Sequence, residues 1–419
     1  MDTLLHFLSE LSGLRSLAAA MMVGAICGVL GCFVVLRNMA LIGDALSHAV
    51  LPGIVIAFIA MGYSTTAFFG GALLSGLLSA FFITWLQKNV MVKNDAAIGI
   101  IFTFMFALGV IGISALSHKE GMHLDLKDFL FSNVLSVTNE DLCLIAGMSV
   151  IVISCVVLFY KALFVTSFQS QIAESLGIKP SYVHYLFMLL LSLTIVSSLS
   201  SVGVILVVAM LITPASTALL IANQLPKVLI TAGLLGILSS MTGLLLSAAF
   251  NLPPGPMMAV VATLIYALTF LIHPKNGLIA KWLQKRNLEN RIIVEDILKL
   301  SSKLEAQSDV NIQKLISFSG HSKKELEKWL KILIKKGLLL SSNEGIKLSE
   351  EGKIRANQLV RAHRLWESYL ANELGLEPDQ IHDEAEQFEH YMTEEFLSEV
   401  DESLGYPQTD PHGSPIPKA

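Results

Sequence analysis

Two stretches of this 419-residue chain combine carboxylates and imidazoles at spacings that suit a divalent cation. The first is Arg37 to Gly53, RNMALIGDALSHAVLPG, where Asp44 and His48 stand four residues apart between two long apolar runs. On a helix that spacing puts both side chains on one face, about one turn apart. A carboxylate and an imidazole so placed form half a site for a first-row metal ion. Pro52 follows four residues after His48, so the carbonyl of His48 is expected to lack its helical partner. A second reading remains open, in which Asp44 caps a helix start and His48 bonds a neighbouring helix. The second stretch is Asp383 to His390, in which Glu386, Glu389 and His390 fall at i, i+3 and i+4. That pattern gives one helical face of two carboxylates and an imidazole, and His363 from the preceding helix would complete a mixed nitrogen and oxygen site. Such a set suits Mn²⁺ or Fe²⁺ and also Zn²⁺. The alternative is a solvated acidic face, since residues 356–419 hold fourteen acidic and three basic side chains.

The elements that must position these residues differ in kind. The chain is 53% hydrophobic and only 15% charged, with mean hydropathy +0.63, which excludes an ordinary soluble enzyme. Residues 1–275 hold ten Lys/Arg and ten Asp/Glu, while the remainder hold nineteen and twenty-four. The fold class is therefore mainly α: a polytopic membrane helical bundle over 1–275, a linker at 276–290, and soluble domains at 291–355 and 356–419. Spanning runs lie near 16–36, 43–62, 66–87, 95–116, 142–164, 183–200, 202–223, 227–250 and 256–273. Nine spans are the reading and eight the alternative, because the 183–223 pair is closely joined. With nine, one set of connections carries Arg37, Lys88, Lys93, Lys161, Lys179, Lys227 and Lys275, and the other carries Arg15, Lys119 and Lys127. The positive-inside rule then places the first set and the C-terminal domains in the cytoplasm. Asp44 and His48 would lie about 10–16 Å along the helix from Arg37, near mid-membrane, where ionisable residues suggest a substrate path.

Smaller features complete the membrane half. Gly24, Gly28, Gly31, Gly70, Gly71, Gly76, Gly233 and Gly236 suit close helix packing in lipid. Cys27, Cys32, Cys143 and Cys155 show no CxxC spacing and read as packing residues. Asp2 and Glu10 stand where a signal peptide would carry positive charge, so no cleaved signal is expected. The loop 117–141, with His118, Glu120, His123, Asp125, Asp128, Glu140 and Asp141, reads as a solvated acidic segment. Residues 171–179, QIAESLGIK, read as a short amphipathic helix ended by Gly177.

In the soluble half, Lys281, Lys285 and Arg286 mark a linker helix close to anionic lipid. Helical patterns follow at 292–304 and 310–317, then a turn at 318–321. Ser322 with Glu325 forms a capping box for a helix to about Lys336, and an alternating hairpin spans 338–348 around Asn343-Glu344-Gly345. That order is a winged helix-turn-helix, whose reading helix offers Lys323, Lys324 and Lys328 to DNA. Residues 290–355 hold thirteen basic and nine acidic residues, a modest excess, and a winged helix kept for protein contacts is the competing reading. Helices at 352–375 and 378–403 carry the second metal-suited cluster.

Two resemblances bear on these residues. RNMALIGDALSHAVLPGI, AESLGIKP and SVGVILVVAMLITPASTA together resemble permeases of the ABC-3 family, over residues 10–275. The resemblance implies the membrane subunit of a bacterial importer for manganese, zinc or iron. It implies a second permease subunit, a copy or a paralogue, with a separate ATPase and an extracytoplasmic metal-binding lipoprotein. It maps path ligands onto Asp44 and His48, and ATPase coupling onto Ala173, Glu174 and Gly177. No GxxxxGK[ST] pattern occurs in the chain, which agrees with an ATPase on another polypeptide. Residues 290–417, including VEDILKL, RAHRLWESYL, EAEQFEH and the closing DPHGSPIP, resemble the iron- and manganese-dependent repressors of the diphtheria toxin repressor family. That likeness implies regulatory metal ligands at Glu295, His363, Glu386, Glu389 and His390. Where manganese-sensing members place a carboxylate three residues before the first glutamate, this chain has Ile292. The expected function is a non-enzymatic permease for a divalent metal with a fused metal-sensing domain. The alternatives are a proton-coupled carrier with an interaction module, or a permease carrying a releasable metal-dependent repressor.

Overall fold

A computed structural model describes residues 9–62, 64–90, 92–117, 137–275, 277–305, 312–320, 322–342, 345–376, 381, 384–386 and 388–418. The chain divides into two compact units, residues 1–280 and 281–419. Each has its own core.

Every apolar run of the first unit folds as helix. The elements are α1 (Leu11–Leu36), α2 (Ile42–Ala49), α3 (Leu51–Met61), α4 (Thr65–Asn89), α5 (Asn94–Ser117), α6 (Asn139–Leu158), α7 (Tyr160–Phe168), α8 (Ser170–Ser175), α9 (Pro180–Val202), α10 (Val204–Ile221), α11 (Leu225–Phe250) and α12 (Pro254–Ile272). Among the described residues, eight helical segments are long and apolar enough to cross a membrane, counting α2 and α3 as one span, Ile42–Met61. The ninth run, around α10, yields only a shorter apolar helix, so the described residues give eight spans, the alternative count, and not nine. α9 and α10 are separated by Gly203 alone, whose φ of 79° is a conformation glycine adopts without strain.

α1 is the axis of this bundle, with Ala19, Val23, Leu30 and Phe33 fully buried. It packs on α11 and α10 through backbone contact: a Cβ on Gly24 would strike the carbonyl of Gly236, and one on Gly31 the carbonyl of Leu211. Such approach is how helices gain dispersion energy where lipid is as apolar as their side chains. Gly70, by contrast, faces open space. The four cysteines are free thiols. In the 117–141 loop, His118, Glu120, His123, Asp125 and Asp128 lie outside the described residues. Glu140 and Asp141 fall in the first turn of α6, where Thr138 and Asp141 form a capping box.

The second unit contains α13 (Leu278–Glu305), α14 (Ile312–Ser319), α15 (Lys323–Lys335), β1 (Leu339–Ser342), β2 (Gly345–Leu348), α16 (Glu350–Leu374) and α17 (Glu394–Ser403). The expected linker is helical from Leu278 onward, as the first part of α13. α15 starts at the expected capping box, with Ser322 Oγ accepting from the Glu325 amide and the Glu325 carboxylate from the Ser322 amide. β1 and β2 pair antiparallel with Leu339 opposite Leu348, and their connecting residues Asn343 and Glu344 lie outside the description. Leu298, Leu315, Leu326, Leu333 and Ala356 form the core of this winged arrangement.

The helix expected over 378–403 is not continuous. Glu384, Ala385, Glu386 and Phe388 are helical, Glu389 to Tyr391 form a turn, and α17 starts afresh from its Thr393 cap. Glu386 is exposed, whereas Glu389 and His390 are buried.

Candidate functional site

α2 buries every residue between Ile42 and Ala49 except Asp44 and His48. Their side chains are 50% and 18% exposed, and Asp44 Oδ1 lies 3.5 Å from His48 Nε2. Both therefore point off the one open stripe of a helix otherwise sunk in the bundle. The imidazole is held by aromatic rings of α5, with centroids 5.8 Å from Phe102 and 5.4 Å from Phe106. Pro52 cannot donate to the His48 carbonyl, which accepts from the Val50 amide instead, and Ser75 Oγ donates to the neighbouring Ala49 carbonyl at 2.7 Å. Close packing at the same place excludes a Cβ from Gly53, which meets the backbone of Gly71. Two oxygen and nitrogen donors this close can share one cation, and nothing in the helix closes over them.

The segment 169–178 caps itself. α8 ends with Gly177 at φ 77°; the Gly177 amide donates to Glu174 O at 2.9 Å and the Ile178 amide to Ala173 O at 2.9 Å. Those two bonds are a Schellman closure. Ala173 is fully buried, whereas Glu174 and Gly177 are exposed beside Ile172 and Leu176. The result is a rigid knob with an apolar and acidic surface.

In the second unit, α13, α16 and the 389–391 turn converge on a buried ionic cluster. His390 donates from both ring nitrogens: Nδ1 lies 2.8 Å from Glu295 Oε2 and Nε2 lies 3.1 Å from Asp296 Oδ1. Glu389 Oε1 is 3.7 Å from the same Nε2. Asp296, Glu389 and His390 are the one group of metal-ligating side chains among the described residues whose donor atoms converge closely enough to hold an ion. Glu295 is tied elsewhere, its Oε1 accepting from Arg291 Nε at 2.9 Å and Arg355 Nη2 at 2.6 Å. Lys299 Nζ grips both oxygens of Glu389, at 2.8 and 2.7 Å. His363 bridges two carboxylates, with Nδ1 2.6 Å from Glu389 Oε2 and Nε2 3.1 Å from Glu367 Oε1. Glu386 is exposed and outside this cluster.

The electrostatics follow from these contacts. Burial drives the His390 imidazolium down, but hydrogen bonds to Asp296 and Glu295 outweigh it and raise its pKa to about 9. For Glu295 burial pulls upward, and the hydrogen bonds from His390, Arg291 and Arg355 prevail, lowering it to about 2. His363 is also raised, burial opposing and the Glu367 and Glu389 carboxylates prevailing, with Lys299 pulling against them. Glu295 thus resembles the carboxylate that orients a ligating histidine through its second nitrogen more than it resembles a free ligand.

Lys323, Lys324 and Lys328 are all exposed on α15, Lys324 and Lys328 on the face opposite buried Leu326, Leu330 and Leu333. Lys328 Nζ sits 5.3 Å from the centre of the Trp329 ring.

Residues 13–273 match the ABC 3 transport family. The chain belongs to that family. Residues 349–418 match the iron dependent repressor metal binding and dimerisation domain. The membrane half is similar to the manganese transport system membrane protein MntC of Halalkalibacterium halodurans, at 44% identity over 66% of this chain and 92% of that protein. It is also similar to the manganese import system permease protein ScaB of Streptococcus gordonii, at 40% identity over 64% of this chain and 92% of that protein. A solved structure of PsaBC from Streptococcus pneumoniae in complex with Fab superposes with a TM-score of 0.59 at 36% identity, covering 68% of this chain and 99% of that one. This protein is accordingly a multi-pass membrane permease of the ABC-3 family fused to a metal-dependent repressor-type domain, with a divalent metal as substrate or ligand.

The sequence reading had not singled out Asp296, Lys299, Phe102 or Phe106. Asp296 carried a signal: it lies one turn beyond Ile292, on the face from which the expected carboxylate is missing. Lys299 lies a further turn along, at near-helical spacing. The two phenylalanines, four apart in an apolar run, look like any lipid-facing pair.

Proposed function

We propose that this protein imports manganese as the permease subunit of an ATP-driven transporter, and that its second unit senses cytosolic divalent metal. The manganese assignment is carried over from the relatives' names; the path assignment is carried by α2, which leaves only Asp44 and His48 unburied. Two donors per chain hold a cation weakly, and a second permease subunit presenting the same pair would supply two more. Few ligands favour passage, because an ion held by a complete shell does not leave. A separate ATPase would engage Ile172, Glu174 and Leu176 on the α8 knob, whose Schellman closure transmits force rather than absorbing it. An extracytoplasmic lipoprotein would deliver the metal.

In the sensor, Asp296, Glu389 and His390 would hold the ion, with Glu295 orienting His390. A bound ion there supplies divalent positive charge to a cluster otherwise neutralised by lysine and arginine. Asp296 replaces the carboxylate absent at Ile292 from one turn further along α13. Lys299 must release Glu389 before that carboxylate can ligate, so the chain's own cation competes for the site. His363 keeps Glu389 aligned while bound to Glu367. The nitrogen and oxygen donors suit manganese or iron. The domain would lie in the cytoplasm, and Lys323, Lys324 and Lys328 leave DNA contact as a further use of the winged helix.

Reconstitution tests the transport reading. The full chain with its ATPase in proteoliposomes should take up manganese only with ATP. Uptake driven by a proton gradient without ATP would instead support a secondary carrier. Sensing is tested by titrating the purified full chain with manganese and comparing His390→Ala.

A further inference from the structure

A cavity of about 400 Å³ opens where four helices of the first unit end together. Arg37 closes α1, Gln87 and Lys88 lie in the last turn of α4, Thr166 and Ser167 end α7, and His184 sits in the first turns of α9. This is the end of the bundle that also carries the α8 knob. Its charge is one-sided: two cations line it, and no carboxylate does among the described residues.

The donors are left over in a telling way. Gln87 Nε2 and His184 Nε2 are buried atoms without any hydrogen-bond partner. Buried polar atoms are rarely orphaned in folded proteins, and each calls for an explanation such as a ligand. Arg37 is already fixed by Ser167 Oγ at 3.1 Å and Thr166 Oγ1 at 3.0 Å, and its guanidinium lies 4.6 Å from the centre of the Phe187 ring. Lys88 Nζ rests 4.6 Å from the centre of the Tyr185 ring. Both charges are thus held at the cavity by aromatic faces, with no acidic side chain to quench them.

We propose that this cavity is a binding site for a phosphate-type anion, bound by Arg37, Lys88, Gln87 and His184. A phosphoryl group matches the requirement: it is an acceptor-only anion with several oxygens, and guanidinium recognises it well. The volume admits it together with a few waters, each taking about 30 Å³. At the ends of membrane-spanning helices the nearest abundant source is the headgroup of an acidic phospholipid, drawn to juxtamembrane cations. A soluble phosphate would satisfy the same donors. Because the walls join the start of the Asp44 stretch to the helix leading into the α8 knob, an anion here would tie path and coupling elements together.

The test uses the full chain in detergent. Native mass spectrometry compares retention of phosphatidylglycerol and phosphatidylcholine, and thermal shift reads inorganic phosphate. Gln87→Glu places a carboxylate among the cations, and Lys88→Gln removes a charge from an exposed side chain. The wild type should bind phosphatidylglycerol at least tenfold more tightly than phosphatidylcholine, and Gln87→Glu should erase that preference while melting as the wild type does. Should Gln87→Glu misfold, Lys88→Gln carries the same comparison with a smaller loss. Phosphate stabilisation that Gln87→Glu abolishes, with no lipid preference, would support the site and assign it to a soluble anion. Equal binding of both lipids together with no phosphate effect would overturn it.

Discussion

The two metal-suited clusters of this chain are built on opposite electrostatic plans. In α2 the carboxylate is half exposed, and among the described residues no lysine or arginine pairs with it. In the second unit Glu389 is fully buried and Lys299 binds both its oxygens, while Arg291 and Arg355 neutralise Glu295. A transport path must accept an ion and give it up, so it gains from few ligands and from contact with water. A sensor must hold two stable states, and a buried carboxylate without metal needs an internal cation in its place. On the proposed reading the same ligand chemistry would serve passage in one unit and occupancy reading in the other, according to whether the chain supplies its own counter-charge.

The comparison breaks most visibly at Asp44. An Asp44→Ala exchange should lower manganese uptake by more than about 100-fold, since losing even an outer-shell partner costs a metal site 10–100-fold. Assembly should be intact, because the side chain faces open space and Ala is a good helix former. Uptake at the wild-type rate in cells expressing normal amounts of the variant would remove Asp44 from the path. The corresponding exchange in the sensor should behave differently. Glu389→Ala leaves Lys299 and His363 without their carboxylate in a buried cluster, so it should destabilise the second unit by about 3–5 kcal/mol. A fall in melting temperature followed by tryptophan emission checks this, since Trp282, Trp329 and Trp366 all lie in that unit. An unchanged melt would mean that the cluster is not a stabilising network.

The legible part of this molecule is the part set by local chemistry. Each apolar run became a helix because a bilayer demands long uninterrupted apolar segments, and the Ser322 and Glu325 pair capped α15 because both partners lie within one turn. Asp44 and His48 could be read because a helix alone brings them together. The sensor could be read only in outline. The expected face of Glu386, Glu389 and His390 assumed a helix that in fact ends at the 389–391 turn, and the local sign of that stop is Thr393, which caps α17 ahead of Glu394 and Glu395. Asp296 and Lys299 lie about ninety positions from Glu389 and His390, and their meeting depends on how α13 packs against that turn. Periodicity is silent about such convergence. The orphaned Gln87 and His184 nitrogens are likewise visible only when four helix ends are assembled.

Lys299 offers a finer test of the same contrast. Replacing it with Met keeps the length of the side chain and removes the competing charge, so manganese should bind the sensor about tenfold more tightly, or ~1.4 kcal/mol. Unchanged affinity in a direct titration would show that Lys299 does not occupy the ligand position. Path transport at saturating metal should be unaffected by this exchange.

The contrast also predicts a dependence on pH, and its direction distinguishes metal-free from metal-bound protein. His390 titrates near 9 when folded, above its ordinary 6.5, so its contribution to stability is complete below pH 6.5 and is lost as pH rises through about 9. Glu295 is depressed to about 2 from 4.5, so its contribution is present above pH 4.5 and disappears as pH falls through about 2. Without metal, the second unit should therefore be most stable between pH 4.5 and 6.5 as far as these two groups are concerned. Metal reverses the alkaline trend, because a ligating His390 must first give up the proton on Nε2. Manganese affinity should rise about tenfold per pH unit from 6.5 towards 9 as that single proton is released. Thermal unfolding of the full chain at pH 6 and pH 9, with and without manganese, measures both slopes. If metal protects equally at the two pH values, His390 is not a ligand, and the buried cluster is an ion-pair network held together by Lys299 and the arginines.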